Sequence, residues 1–159
     1  MKIKLNGLLL AGIALAGCAA TAHDPPNEDA SVTLRRSVCF GACPAYTVTL
    51  HTDGSATFDG DRFVAVMGHR DYRVDPAAVQ KLVADFKAAH FFELKNEYRG
   101  NVSDLPTVRL TLTIGDKTKT VIDYAGEMVG MPKAVRKLEL EVDEVGQTEQ
   151  FVRKPAPVS

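Results

Sequence analysis

Two stretches of strict period-two alternation constrain this chain more than anything else in it. Tyr46, Val48 and Leu50 alternate with Thr47, Thr49 and His51, and Val108, Leu110, Leu112 and Ile114 alternate with Arg109, Thr111 and Thr113. Side chains on a strand point alternately to its two faces, so each stretch reads as a strand buried on one side and wetted on the other. A sheet of that kind needs a second layer over its apolar face.

The intervening segments supply the rest of the sheet and the cover. Val32-Thr33-Leu34 reads as a first short strand. Asp53-Gly54 turns the second strand into Ser55 to Phe58, Asp59-Gly60-Asp61 reads as another turn into Phe63 to Val66, and Arg70 to Val74 adds a further short strand. Asp75-Pro76 has the N-cap carboxylate and first-turn proline of a helix start, and Val79, Leu82, Val83 and Phe86 then share one helical stripe. Gly115-Asp116 reverses the strand after Ile114 into Lys117 to Tyr124. A two-residue loop and a three-residue loop both fit there, the latter placing Leu110 opposite Ile122 and Arg109 opposite Asp123. Pro132 opens a second helix with Val135, Leu138, Val142 and Val145 on its stripe and Gly146 at its end. The order β-β-β-β-α-β-β-α predicts an α+β fold, a single antiparallel β-sheet of about six strands with two helices packed on one face.

The N-terminus is read as an address. Lys2 and Lys4 precede an uncharged run, Gly7 to Gly17, that is too short to cross a bilayer as a helix. The run ends in Leu15-Ala16-Gly17-Cys18, which resembles the bacterial lipobox. Residues 1–17 are therefore expected to be a lipoprotein signal peptide, with Cys18 the lipidated N-terminus and residues 18–30, polar and carrying Pro25-Pro26, a flexible tether. Several acyl chains hold a protein firmly to a membrane without spanning it. Ala19 after the cysteine resembles the signal for outer-membrane delivery, with the domain facing the periplasm; inner membrane and cell surface are the alternatives.

Residues 31–152 then form one domain, followed by a tail at 153–159 expected to be disordered; with 45% apolar and 25% charged residues, a chain of 159 has room for no second globular unit. Its formal charge is -1, and losing Lys2 and Lys4 with the signal leaves 17 basic against 20 acidic residues. That balance argues against nucleic acid as a partner.

Cys39-Phe40-Gly41-Ala42-Cys43-Pro44 is the sharpest local signal within the domain. A straight strand would hold the two Cα atoms roughly 13 Å apart, whereas a disulfide needs ~4.4–6.8 Å, so a bridge requires the segment to curl. Gly41 permits the curl and Pro44 ends it. In an exported protein a structural disulfide is the expected outcome. Against it stand a thiol-redox pair, and a copper or zinc site built from Cys39, Cys43, His51 and His69, though neither histidine has ligand-like spacing. Asp104 and Asp123 read as a turn-capping residue and a hairpin partner for Arg109 rather than as an acid/base pair.

The motif Cys39-x-Gly41-x-Cys43-Pro44-x-Tyr46, the Asp-Gly hairpin, the Phe91-Phe92 pair after the first helix and Ser103-Asp104-Leu105-Pro106-Thr107 before a Thr-rich strand together resemble the bacterial "domain of unknown function 6438", over about residues 31 to 151. The resemblance brings no activity, substrate or cofactor. The sequence has no G-x-S-x-G, no H-E-x-x-H and no phosphate-binding glycine loop. The expectation is a membrane-tethered, non-enzymatic domain without a cofactor that binds another envelope component, an envelope protein among the candidates, or aids assembly. Its rival is an envelope redox or metal protein.

Overall fold

A computed structural model of the chain describes residues 29–153. Seven strands form one open sheet: β1 (Ala30–Arg36), β2 (Ala45–His51), β3 (Ser55–Arg62), β4 (Gly68–Arg73), β5 (Glu97–Arg99), β6 (Val108–Ile114) and β7 (Lys117–Tyr124). Their spatial order is β4-β3-β2-β1-β6-β7-β5, every neighbouring pair being antiparallel except β5 and β7, which run parallel. Three helices accompany them, α1 (Pro76–Ala88), α2 (Lys133–Val145) and the single turn α3 (Glu149–Val152), with 3-10 turns at Phe91–Glu93 and Gly126–Val129. The expected α+β class and single sheet hold. The sheet is mixed and has one strand more than expected, because the three residues of β5 are too few to show alternation in sequence.

The alternating residues build the core. Val32 and Leu34 of β1 pair across to Leu50 and Val48 on one side and to Leu112 and Leu110 on the other, and all six are fully buried. Val79, Phe86, Val135 and Val142 complete the contact from the helices, also at 0% exposure. At about 25 cal/mol per Å² of apolar surface, each such side chain contributes roughly 1.5–3 kcal/mol against exposure. Helix α1 starts as its sequence dictates, with Asp75 accepting a hydrogen bond from Ala77 N at 3.0 Å.

Three local expectations change. Asp59-Gly60-Asp61 is no turn: β3 runs on to Arg62, and the chain reverses through Phe63, which adopts φ 57°. Gly60 serves close approach instead, since a Cβ there would lie 2.1 Å from the carbonyl oxygen of Val66, in the segment folded back over it. Phe63 to Val66 accordingly forms no strand, and β4 begins at Gly68. The β6–β7 loop is the two-residue form, Gly115-Asp116 joining Ile114 to Lys117, so Arg109 faces Ile122 and Asp123 faces Val108 on the helical side. The proposed Arg109–Asp123 pairing is thereby excluded, because a register change of one residue sends a side chain to the opposite face.

Past α2 the chain still contributes to the core. Phe151 stacks on Phe58 at 4.7 Å between ring centroids and meets Tyr72 edge-on at 5.0 Å. Its carbonyl and that of Val152 accept hydrogen bonds from Val66 N and Ala65 N, pinning the β3–β4 connection.

Candidate functional site

At the end of β1 the chain enters the cysteine segment. Cys39 and Cys43 are disulfide-bonded, their Cα atoms 5.6 Å apart, inside the range the curl was expected to reach. The closed loop leans on the segment before β6: Phe40 N donates to Asp104 O at 3.3 Å, Ser37 N to Thr107 O at 3.0 Å, and Thr107 N to Ser37 Oγ at 2.9 Å. So braced, the loop holds the Phe40 ring 88% exposed. Leu105, Met128 and Val129 are large apolar side chains exposed at the same end of the sheet.

Behind the loop lies a cavity of about 390 Å³, lined among others by Arg36, Leu105, Pro106, Asp123, Met128 and Arg136. Arg36 and Asp123 in its wall are engaged from beneath. Arg36 donates through Nη2 and Nε to Asp143 Oδ2 at 2.6 and 3.1 Å, while Tyr46 OH and Thr148 Oγ1 donate to Asp143 Oδ1 at 2.7 and 2.9 Å. Burial first, then the negative Asp143, raise the Tyr46 pKa to about 12, so the phenol stays protonated and donates. Burial opposes the Arg36 charge, but Asp143 and Tyr46 outweigh it and its pKa rises. Asp123 accepts from Gly126 N at 2.7 Å, which ties the 3-10 turn at Gly126–Val129 to β7.

Glu139 of α2 is the anomaly of this region. It has no exposed surface, accepts from Arg136 Nη1 at 2.9 Å through Oε2, and leaves Oε1 buried without a partner. Burial, with a smaller contribution from Asp123 and against the pull of Arg136, raises its pKa to about 7. A carboxyl sealed this way can take up a proton near neutrality, but no substrate can touch it.

The sequence candidates distribute unevenly over this picture. Cys39 and Cys43 meet. Asp104 sits in the loop at φ 69° with its carboxylate accepting from Ser103, and Asp123 bonds elsewhere, so the two form no acid/base pair. His51 lies at the far end of β2, about 20 Å of strand from the cysteine loop by the rise per residue, and His69 sits on the edge strand β4 between Asp59 and Asp71. The four residues considered for copper or zinc are thus not brought together, and among the described residues no group of three or more His, Cys, Asp or Glu has a metal-holding arrangement. Cys18 lies outside the described residues.

Sequence reasoning missed Arg36, Tyr46, Asp143 and Glu139 as a polar cluster. One signal was present: Glu139 occupies the i+4 position from Val135, on the same stripe as Leu138 and Val142, where an acidic residue must be buried or must break the stripe.

The family described as Domain of unknown function (DUF6438) matches the chain over residues 30–146. The chain belongs to this family. The match begins with β1 and ends one residue after α2, so it contains the whole sheet, the disulfide loop and the Arg36–Asp143 cluster, while Phe151 falls beyond it. No curated protein matches the chain.

Proposed function

We propose that this protein is a lipid-anchored periplasmic domain of the bacterial outer membrane that binds another envelope component through the end of the sheet capped by the cysteine loop, without catalysing a reaction. The observation that carries the binding role is Phe40, 88% exposed on a loop that is closed by a disulfide and braced against Ser103 to Thr107. Exposed apolar side chains gathered at one place mark interaction sites, and a rigid loop loses little entropy when a partner covers it. The anchor rests on Leu15-Ala16-Gly17-Cys18 and the apolar run before it. In this reading the disulfide is a staple that presents Phe40.

Cell fractionation with intact-mass measurement tests the anchor: the native protein is expected in the membrane fraction with the mass of its acyl chains, and Cys18→Ser in the soluble fraction or mislocalised. A native protein that is soluble and unlipidated overturns it. Crosslinking in cells followed by pull-down tests the binding role, with Phe40→Ser expected to lose the partner while melting as the native protein does. Thiol titration and metal analysis of the purified protein separate the staple from the rival: a readily reduced bond, or stoichiometric copper or zinc on the two thiols, makes Cys39 and Cys43 a working site.

A further inference from the structure

The face of the sheet turned away from the helices carries an arrangement that folding does not favour. Arg35 of β1 and Arg109 of β6 stand directly opposite each other on neighbouring strands, and both are exposed. Among the described residues neither guanidinium has an ion-pair or hydrogen-bond partner. Like charges directly opposite on adjacent strands destabilise a sheet. The positions around them are uncharged: Thr47 faces Arg35, Ile122 faces Arg109, and the next row across the sheet is Thr57, Thr49, Thr33, Thr111 and Thr120. In that row Thr33 and Thr49 share a hydrogen bond of 3.1 Å, and Thr111 and Thr120 one of 2.8 Å, which keeps the hydroxyls in register.

We propose that this open face binds a glycan bearing widely spaced carboxylates, with Arg35 and Arg109 clamping one carboxylate and the threonine row hydrogen-bonding sugar hydroxyls. A guanidinium fork matches a planar carboxylate with two parallel N–H···O bonds, and a second arginine directly opposite adds its charge to the same site. Charge complementarity decides among anionic polymers. Asp59 lies two strands from Arg35 in the same row, about 10 Å away, and Glu97 two strands from Arg109 at the row's other end; Asp59 shares His69 with Asp71, which ends the threonine row, and Glu97 pairs with Arg99. Duplex DNA, with one charge about every 1.7 Å, would press phosphates against those acids; a polymer with isolated charges need not. A protein partner would require aromatic or aliphatic anchors, and Ile122 is the large aliphatic side chain these rows offer. Hydroxyl rows on a shallow polar surface match a hydrated sugar chain instead. This surface adds to the envelope reading and is separate from the cysteine-loop end, so a native protein found soluble and unlipidated would sink that reading and leave this one standing.

The test titrates the full-length protein, purified in detergent, into a fluorescently labelled hyaluronan hexasaccharide, whose carboxylates fall on every second sugar, and follows anisotropy. The expected result is saturable binding that weakens by about tenfold or more for the uncharged methyl ester and for Arg35→Thr, and disappears in Arg35→Thr/Arg109→Thr. Arg35→Lys should bind between the two, since it keeps the charge and loses the fork. Without glycan the double variant should melt at a temperature equal to or above the native protein's, because a repulsion has been removed; a melt below it means the arginines serve the fold. Equal affinity for the ester, unchanged binding by the double variant, or no binding of the uronate overturns the proposal. Equal or tighter binding of polyglutamate or of a 20-mer oligonucleotide overturns it too, reassigning the face to an acidic peptide or to nucleic acid.

Discussion

Arg36 and Asp143, separated by 107 positions, meet in an ion pair of 2.6 Å between β1 and α2. Tyr46 and Thr148 donate to the same carboxylate, so one aspartate ties the central strand, its neighbour β2, helix α2 and the segment leading into α3. Removing one partner of a part-buried network leaves the others desolvated and unpaired. Asp143→Ala should therefore cost about 3–5 kcal/mol in urea unfolding, and a double-mutant cycle with Arg36→Ala should return a coupling of at least about 1 kcal/mol. Additive single effects would mean the pair is incidental.

Glu139 gives the protein a pH dependence whose sign is fixed. Its folded-state pKa is about 7, above the ordinary 4.5, so the folded state holds a proton that the unfolded state releases across that interval. The stabilisation is fully present below about pH 4.5 and is lost as pH rises through 7, with an upper limit of about 3 kcal/mol. Glu139→Gln should flatten this slope. Relative to the native protein, the variant should be more favourable at pH 8 than at pH 5; equal differences at the two pH values would place the carboxyl in contact with water.

The disulfide closes a short ring, for which chain-entropy arithmetic gives about 2 kcal/mol. Cys39→Ala/Cys43→Ala should lose about 1–3 kcal/mol and keep its far-ultraviolet circular dichroism. A variant that fails to fold would make the loop part of the core.

Gly54 sits at φ 83°, and a Cβ there would come within 2.7 Å of Val74 O and 2.8 Å of Pro76 Cγ. Gly54→Ala is expected to cost about 1–3 kcal/mol by chemical denaturation, since backbone strain and a collision with backbone act together. An unchanged midpoint would show that β3 and α1 can part without penalty.

The end of the family match falls short of the aromatic stack on Phe58. Phe151→Ala should lower stability by about 2–3 kcal/mol, and a chain ending at Gly146 should lose more, because the β3–β4 connection also loses its two backbone hydrogen bonds. Equal melting of the native and shortened chains would confine the cooperative unit to the matched residues.

What could be read in sequence was whatever depends on local periodicity. Tyr46 to His51 and Val108 to Ile114 declared their faces because a strand's period is two, and Val79, Leu82, Val83 and Phe86 declared a helix because its period is 3.6. The capping Asp75, the turn glycines Gly54 and Gly115 and the curl at Gly41 were legible for the same reason, each being set by a few neighbouring residues. Tertiary structure decided the rest. Gly60 looks like a turn glycine until the chain folds back over it, β5 is too short to alternate, one residue of hairpin register moved Asp123 to the helical side, and the long-range pairing of β1 with β6 set Arg109 beside Arg35. Arg36, Asp143 and Glu139 are ordinary charged residues in sequence, because burial and a partner 107 positions away are properties of packing, which no local pattern encodes.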